Sequence, residues 1–354
     1  MGKIEELYQE WQSLQPIKEE YLQRLNRKFM LEFNYNSNHI EGNTLTYGQT
    51  ELLLLFGKVV DAANMKDLED MKASNVGLNM MQEQASSEYP LTESFIRQLH
   101  QTILREDYTV YRQLPGGQQT SYVVHAGVYK TRPNSVITRT GDRFEYASPE
   151  ETPALMKDLV EWYREEEQKG ELTLAELCAL FHYRYIRIHP FEDGNGRIAR
   201  LLVNYILARH GYPMVVVRSR KKKDYLEALH QSDLVVGRVP SDGSHASLRE
   251  ARHFVNWFKK MVNEEVGNDI DFIQTRDANV WWYDGQRIVF RSANSGRILN
   301  LLMTEPGITI AALTKAIGIN TSAIQKHLKS MTDKGYISRR EKDGEWDVFI
   351  IPSA

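Results

Sequence analysis

Cysteine is nearly absent from this 354-residue chain, where Cys178 stands alone. One thiol excludes an intramolecular disulfide and a cysteine-rich zinc site, and it suits a reducing cytoplasm. Long apolar runs are missing as well. The longest, Leu52 to Phe56, falls far short of the ~20 residues that cross a bilayer. The opening stretch MGKIEELYQEW is charged and lacks an apolar h-region, so no secretion signal is expected. Neither charge dominates, with 44 Lys and Arg against 47 Asp and Glu and a net charge of −3, so no global basic field points to nucleic acid. These absences predict a cytoplasmic protein with no membrane partner. At 42% hydrophobic and 26% charged residues the composition is globular, and the length suits two or three domains that each bury a core.

The residues that carry chemistry crowd into HPFEDGNGRIAR, His189 to Arg200. Gly194, Asn195 and Gly196 form a turn whose backbone N–H groups can approach an anion closely. The spacing of Ile198, Leu201, Leu202, Tyr205 and Ile206 predicts a helix beginning near Gly196, and a helix N-terminus favours negative charge. Arg197 and Arg200, three residues apart, are neighbours on that helix, so two guanidinium forks can grip one polyphosphate. His189 is the side chain most easily used as a base near neutral pH. Pro190 turns the chain out of the preceding helix, and Phe191 is expected to anchor the turn in the core. A carboxylate at Asp193 would repel phosphate without a cation between them, which predicts Mg2+ held by Asp193 and phosphate oxygens. Each feature alone has an ordinary structural reading. As a set they predict nucleotide chemistry, with the phosphorus that is attacked left open.

This stretch resembles the Fic family signature HPFx[DE]GNGRxxR at every specified position, with Glu192, Ile198 and Ala199 filling the variable ones. The resemblance implies a mainly α fold: a Fic/Fido helical core with a small β-hairpin flap, transferring AMP from ATP to a Ser, Thr or Tyr hydroxyl of a protein. It makes His189 the catalytic base, Asp193 the Mg2+ ligand, and Gly194, Asn195 and Gly196 the anion hole. Arg197 and Arg200 become the phosphate arginines, Arg200 on the γ-phosphate, and Tyr225 lines the adenine site as a stacking residue.

Upstream, Gly42 follows a short helical segment and reads as a C-cap, by itself an ordinary helix end. Beside the Fic signature, Ser37, Glu41 and Gly42 resemble the family's inhibitory motif [ST]xxxE[GN]. The implication is that Glu41 occupies the Arg200 guanidinium meant for the γ-phosphate, giving a self-restrained adenylyltransferase. Relatives also use this glutamate to remove AMP, and that alternative stays open.

Along the chain, periodicity and caps predict helices over residues 3–33 with a break at Pro16, 46–60, 65–84, from Leu91, from Ser148, and from Thr173 to Ile188. His100 and His182 read as structural. A hairpin is expected around the turn TRTGD, and the resemblance makes residues 127–137 a flap that docks an unknown target protein by strand addition. The charged run Arg218 to Lys223 reads as a solvated loop, as does Pro240 to Ser247. The order expected is an N-terminal helical region over 1–93, a Fido catalytic domain over 94–262, a helical connector over 263–294, and a winged helix-turn-helix over 295–354 whose hairpin turns at Lys342 to Gly344. From Gly296 onwards Lys and Arg barely outnumber Asp and Glu, so DNA is not the favoured partner. The competing reading is a nucleotide-sensing, DNA-binding transcriptional regulator. Self-modification and a homodimer are both compatible with the sequence.

Overall fold

The computed structural model describes residues 3–59, 63–113, 117–137, 143–237 and 239–353. Five helices come first: α1 (Lys3–Ser13), α2 (Glu19–Ile40), α3 (Tyr47–Phe56), α4 (Met65–Ala85) and α5 (Glu93–Leu104). Their starts follow side-chain chemistry. Thr46 and Gln49 make a reciprocal capping box at α3, and Thr92 accepts from the Phe95 N–H at α5, each relieving an N–H that has no partner within the helix. Gly57, at φ +62°, ends α3, so the helix stops short of the expected Val60, which lies outside the described residues.

Two antiparallel ladders follow, β1 (Tyr108–Gln113) with β2 (Gln119–Val124), and β3 (Ser135–Ile137) with β4 (Arg143–Glu145). The second is the expected hairpin, although its turn at 138–142 lies outside the described residues and residues 127–134 are not strand. The chain continues through α6 (Thr152–Lys169), α7 (Leu174–Ile188), α8 (Asn195–Arg209), α9 (Lys222–Val236), α10 (Pro240–Ser244) and α11 (Arg252–Gln274). Then come β5 (Val280–Tyr283), β6 (Gln286–Val289), α12 (Ala293–Thr304), α13 (Ile310–Ile317), α14 (Thr321–Asp333), β7 (Ile337–Arg339), β8 (Trp346–Val348) and β9 (Ile351–Pro352). The fold is mainly α with a C-terminal winged helix, as the sequence implies.

Burial explains the central placement of α7 and α8. Cys178, Phe181, Tyr185, Ile198, Leu202 and Ile206 are fully enclosed in one large core that also takes residues from α2, α4, α5, α6 and α11. A second core holds Trp281, Ile298, Leu302, Leu313, Ile324, Leu328 and Trp346. Side chains alternate across a strand, so on β5 Trp281 enters the second core while Trp282 enters the first. β9 returns to pair with β5 in the order β6–β5–β9.

Three expectations need correction, and one hairpin was unforeseen. Residues 263–294 are not a helical connector: α11 runs on to Gln274, and a two-residue Asp284-Gly285 turn, both residues at positive φ, folds Val280 to Val289 into a hairpin. The β1–β2 hairpin has no counterpart among the elements expected from the sequence. Its strands are largely exposed, so they carry no alternating pattern. The run Arg218 to Lys223 is not a solvated loop, since Arg218 is buried among carboxylates and α9 begins at Lys222. Pro240 to Ser244 forms a short helix.

Candidate active site

The turn between α7 and α8 is built backbone first. His189 sits at the end of α7 in the left-handed region, at φ 51° and ψ 61°, a conformation that β-carbon-bearing residues adopt only when their surroundings hold them there. Four contacts do so. The Lys130 N–H donates to the Pro190 carbonyl at 2.8 Å and the Lys130 ammonium to that of Ile188 at 2.9 Å, while the Asn134 amide donates to the carbonyls of Phe191 at 2.9 Å and His189 at 3.4 Å. Burial lowers the Lys130 ammonium to about 7. The base of the flap is thereby sutured to the HPF turn.

The His189 ring stacks on Tyr146, centroids 3.9 Å apart and planes within 10°. Its Nδ1 lies 3.3 Å from the Ile186 carbonyl. A carbonyl only accepts, so Nδ1 carries the proton and the Nε2 lone pair is left for a reacting group. Burial foremost, then the charge of Lys130, lowers the imidazole pKa well below its ordinary value. The ring is therefore neutral at neutral pH, the form a base requires.

Asn195 closes the turn. Its Oδ1 accepts from the Phe191 N–H at 3.0 Å and its Nδ2 donates to the Phe191 carbonyl at 2.7 Å. Its side chain braces the turn, a role that residue type alone did not reveal. Gly194, at φ +76°, caps α8, whose first N–H groups have no partner within the helix.

The two arginines are both buried. Arg197 lies 3.9 Å from Asp193 and 3.9 Å from Asp70, and its Nε has no hydrogen-bond partner among the described residues. Arg200 is held from the distant α2: Nε donates to the Ser37 hydroxyl at 3.0 Å, and Nη2 to the Ser37 carbonyl at 2.9 Å and to Glu41 Oε1 at 2.6 Å. Its Nη1 is buried without a partner among the described residues. The Glu41 carboxylate also covers the start of α8, since a Cβ built on Gly196 would come within 2.4 Å of Glu41 Oε1. An acidic group thus lies against a helix N-terminus and a buried guanidinium, both of which favour anions. Gly42, at φ +100°, lets the chain leave α2 just after this carboxylate.

Asp193 is half exposed; its Oδ2 accepts from the Tyr108 hydroxyl at 2.5 Å and its Oδ1 from the Gly194 N–H at 2.6 Å. Burial raises its pKa, but Arg197, the Tyr108 hydroxyl and the Gly194 N–H together outweigh that and hold it below the usual range. Tyr225 is placed differently from expectation. Its ring is enclosed by Phe254 and Trp257 and its hydroxyl lies 3.0 Å from His182 Nε2. It backs Arg200 from within the core and presents no open face on which a base could stack.

His182 is structural, as read, and His100 is more than that. His100 stacks on Phe191 at 3.7 Å, accepts the Gly127 N–H at Nδ1 and contacts the Asp193 carbonyl through Nε2 at 3.0 Å. It joins the start of the flap to the signature turn. No sequence signal marks it, nor Lys130, Asn134 or Tyr146, because each acts across a distance in the chain.

The Fic/DOC family model matches residues 90–207, which hold this turn and both helices around it, and a winged helix-turn-helix DNA-binding model matches residues 291–338. A solved Fic domain containing signaling protein from Bacteroides thetaiotaomicron is 55% identical, with a TM-score of 0.72, over 78% of this chain and 98% of that one. This chain belongs to the Fic family. The Fic chain is also 29% identical over 262 residues to protein adenylyltransferase fic-1 of Caenorhabditis elegans, covering 73% of itself and 45% of that relative. A solved fragment of the same worm protein is 25% identical with a TM-score of 0.56, over 75% of this chain and 69% of the fragment. The Fic chain spans less than half the length of the curated relatives it matches.

Proposed function

We propose that this Fic chain is a protein adenylyltransferase restrained by its own α2. The observation that carries the reading is the Glu41 carboxylate, 2.6 Å from the Arg200 guanidinium and packed over Gly196. ATP occupies the cradle at the start of α8, with its phosphates against the first N–H groups of the helix, Arg197 and Arg200. The unpartnered Arg197 Nε and Arg200 Nη1 are donors suited to phosphate oxygens. The protein hydroxyl attacks the α-phosphorus, His189 Nε2 takes its proton, the bond to the β-phosphate breaks and pyrophosphate leaves. While Glu41 holds Arg200 Nη2 and covers Gly196, the γ-phosphate cannot take the whole guanidinium fork and the triphosphate lies out of line for attack.

Mg2+ fits the residues present. Among the described residues no group of three or more His, Cys, Asp or Glu is placed to hold a metal, but Mg2+ on a nucleotide needs only one or two carboxylates, the phosphates supplying the rest. Asp193 is that carboxylate, and the ion would neutralise charge on the phosphates. The target hydroxyl arrives along the flap at residues 127–137, whose base is tied through Lys130 and Asn134 to the turn bearing His189. Inhibition resides in residues 1–93, transfer in 94–262, and the winged helix from 295 forms a separate unit.

The test uses three proteins: the parent, Glu41→Gly, and Glu41→Gly combined with His189→Ala, each given ATP labelled at the α-phosphate and a protein extract. Label is expected from Glu41→Gly alone. Equal labelling by all three would refute both the inhibitory and the catalytic assignment.

A further inference from the structure

A path of buried polar contacts joins the winged-helix unit to the helix that bears Glu41. Its centre is Arg218, 1% exposed, which meets carboxylates from three elements: Glu265 of α11 at 2.9 Å through Nε, Glu32 of α2 at 2.9 Å, and Asp284 of the β5–β6 turn at 3.2 Å. The turn also grips α2 directly. The Gly285 N–H donates to Glu32 Oε1 at 2.8 Å, and Asp284 Oδ1 accepts from Asn36 Nδ2 at 2.7 Å. Asn36 is held from its other side too, where its Oδ1 accepts from the Ser219 N–H at 2.8 Å. A Cβ on Gly285 would lie 2.3 Å from the Arg218 guanidinium, so turn and arginine are packed without a gap.

By its packing this hairpin belongs with the winged helix. Trp281 is buried in that core, Tyr283 meets Tyr336 edge-on at 5.1 Å, and β9 pairs with β5. By its tip it also meets α2 and α3, where Tyr283 packs on Tyr47 of α3 at 4.8 Å and Tyr47 on Tyr35 of α2 at 5.2 Å. Asn36 immediately precedes Ser37, and Glu41 follows five residues later, about 7.5 Å along the helix axis. The helix between them is unbroken to Ile40. A helix this short moves as a rod, so a tilt at Asn36 is carried to Glu41. A shift of about 1 Å is enough to break a hydrogen bond as short as that between Glu41 and Arg200.

We propose that Asp284, acting through Asn36, is a positioning residue for Glu41. The winged-helix unit, through its β5–β6 turn, sets the register of α2 that seats the carboxylate on Arg200, and displacing the turn frees the site for the γ-phosphate. This inference rests on the autoinhibitory reading of Glu41. It makes the C-terminal unit an input to the catalytic centre: a partner that pulls on the hairpin raises transfer without touching the nucleotide.

The test compares Asp284→Gly, which keeps the positive φ of the turn while deleting the carboxylate, and Asn36→Ala, which deletes the other half of the contact. Each is made in the parent and in the Glu41→Gly protein, and initial rates of label transfer from α-phosphate-labelled ATP are measured beside thermal unfolding curves. The two substitutions share the loss of the Asn36–Asp284 hydrogen bond, and a charge-assisted bond of that kind predicts a rise of about tenfold in the parent for either. Asp284→Gly also frees Arg220, and Asn36→Ala the Ser219 N–H, so only a rise common to both is read as positioning. No further rise is expected in the Glu41→Gly protein, because no inhibitory carboxylate is left to misplace. A merely structural role would lower the unfolding midpoint and slow transfer in both backgrounds, overturning the proposal. So would a parent rate left unchanged while Glu41→Gly alone speeds transfer. If Glu41→Gly itself gains nothing, the autoinhibitory reading fails and this inference with it.

Discussion

Replacing His100 with phenylalanine tests how the signature turn is held to the flap. The stack on Phe191 would survive in an aromatic ring of similar size, but the Gly127 N–H and the Asp193 carbonyl would lose their partners. Each buried polar group left unsatisfied costs about 1–3 kcal/mol. Protonation gives an independent measure. The Gly127 N–H points at Nδ1, so that nitrogen must be unprotonated, and burial foremost lowers the imidazole from 6.5 to about 4. That displacement means that the folded state loses about 3 kcal/mol, relative to its stability at neutral pH, once the pH is below 4. A lowered folded-state pKa gives stability that is fully present above about pH 6.5 and lost as the pH falls from there towards 4. Urea unfolding of the parent and His100→Phe, followed by tryptophan fluorescence, should show a gap of about 3 kcal/mol near pH 7 that closes by about 2.5 kcal/mol near pH 4.5. A gap that does not change with pH would refute the placement of a neutral His100 between flap and turn.

Other outcomes follow from the same contacts. Asn195→Ala removes both bonds to the Phe191 backbone and should lower stability by about 1–3 kcal/mol, with transfer by the Glu41→Gly protein falling in step as the turn loosens; an unfolding midpoint equal to the parent's would contradict the bracing role. Arg218→Met leaves Glu265 buried without this cation and Glu32 with Lys28 alone, a loss of about 3–5 kcal/mol readable in urea unfolding. Because the His189 pKa is lowered in the fold, the base stays unprotonated below pH 6.5. The acid limb of kcat/KM for Glu41→Gly should therefore lie below that value, and a limb centred at or above it would contradict the geometry.

Much of this molecule is legible in the sequence because its signals are local. Capping residues such as Thr46 and Thr92 sit within a turn of the N–H groups they serve, and the signature from His189 to Arg200 is contiguous. Even the distant Glu41, which lies against Arg200, carries a short motif of its own. What escaped was chemistry assembled across the chain. The burial of Arg218 depends on carboxylates at 32, 265 and 284, so in a basic run it reads as solvated. Lys130 and Asn134 acquire meaning only when the flap folds back on the turn. Tyr225 shows the converse, since a family pattern suggested an open ring face and the packing of α11 encloses it. The β5–β6 hairpin carried a usable signal in Asp284-Gly285, hidden because Val280 to Tyr283 is a short apolar run that helix and strand share equally.

The central claim is that the carboxylate on Arg200 stands where the terminal phosphate must go. It is tested most directly by giving the parent and Glu41→Gly proteins ATP labelled either at the α- or at the γ-phosphate and counting the label that becomes covalently bound to protein. The account predicts α-label on protein with Glu41→Gly, little with the parent, and no γ-label with either. Equal α-labelling by the two proteins, or γ-label on the product, would contradict it.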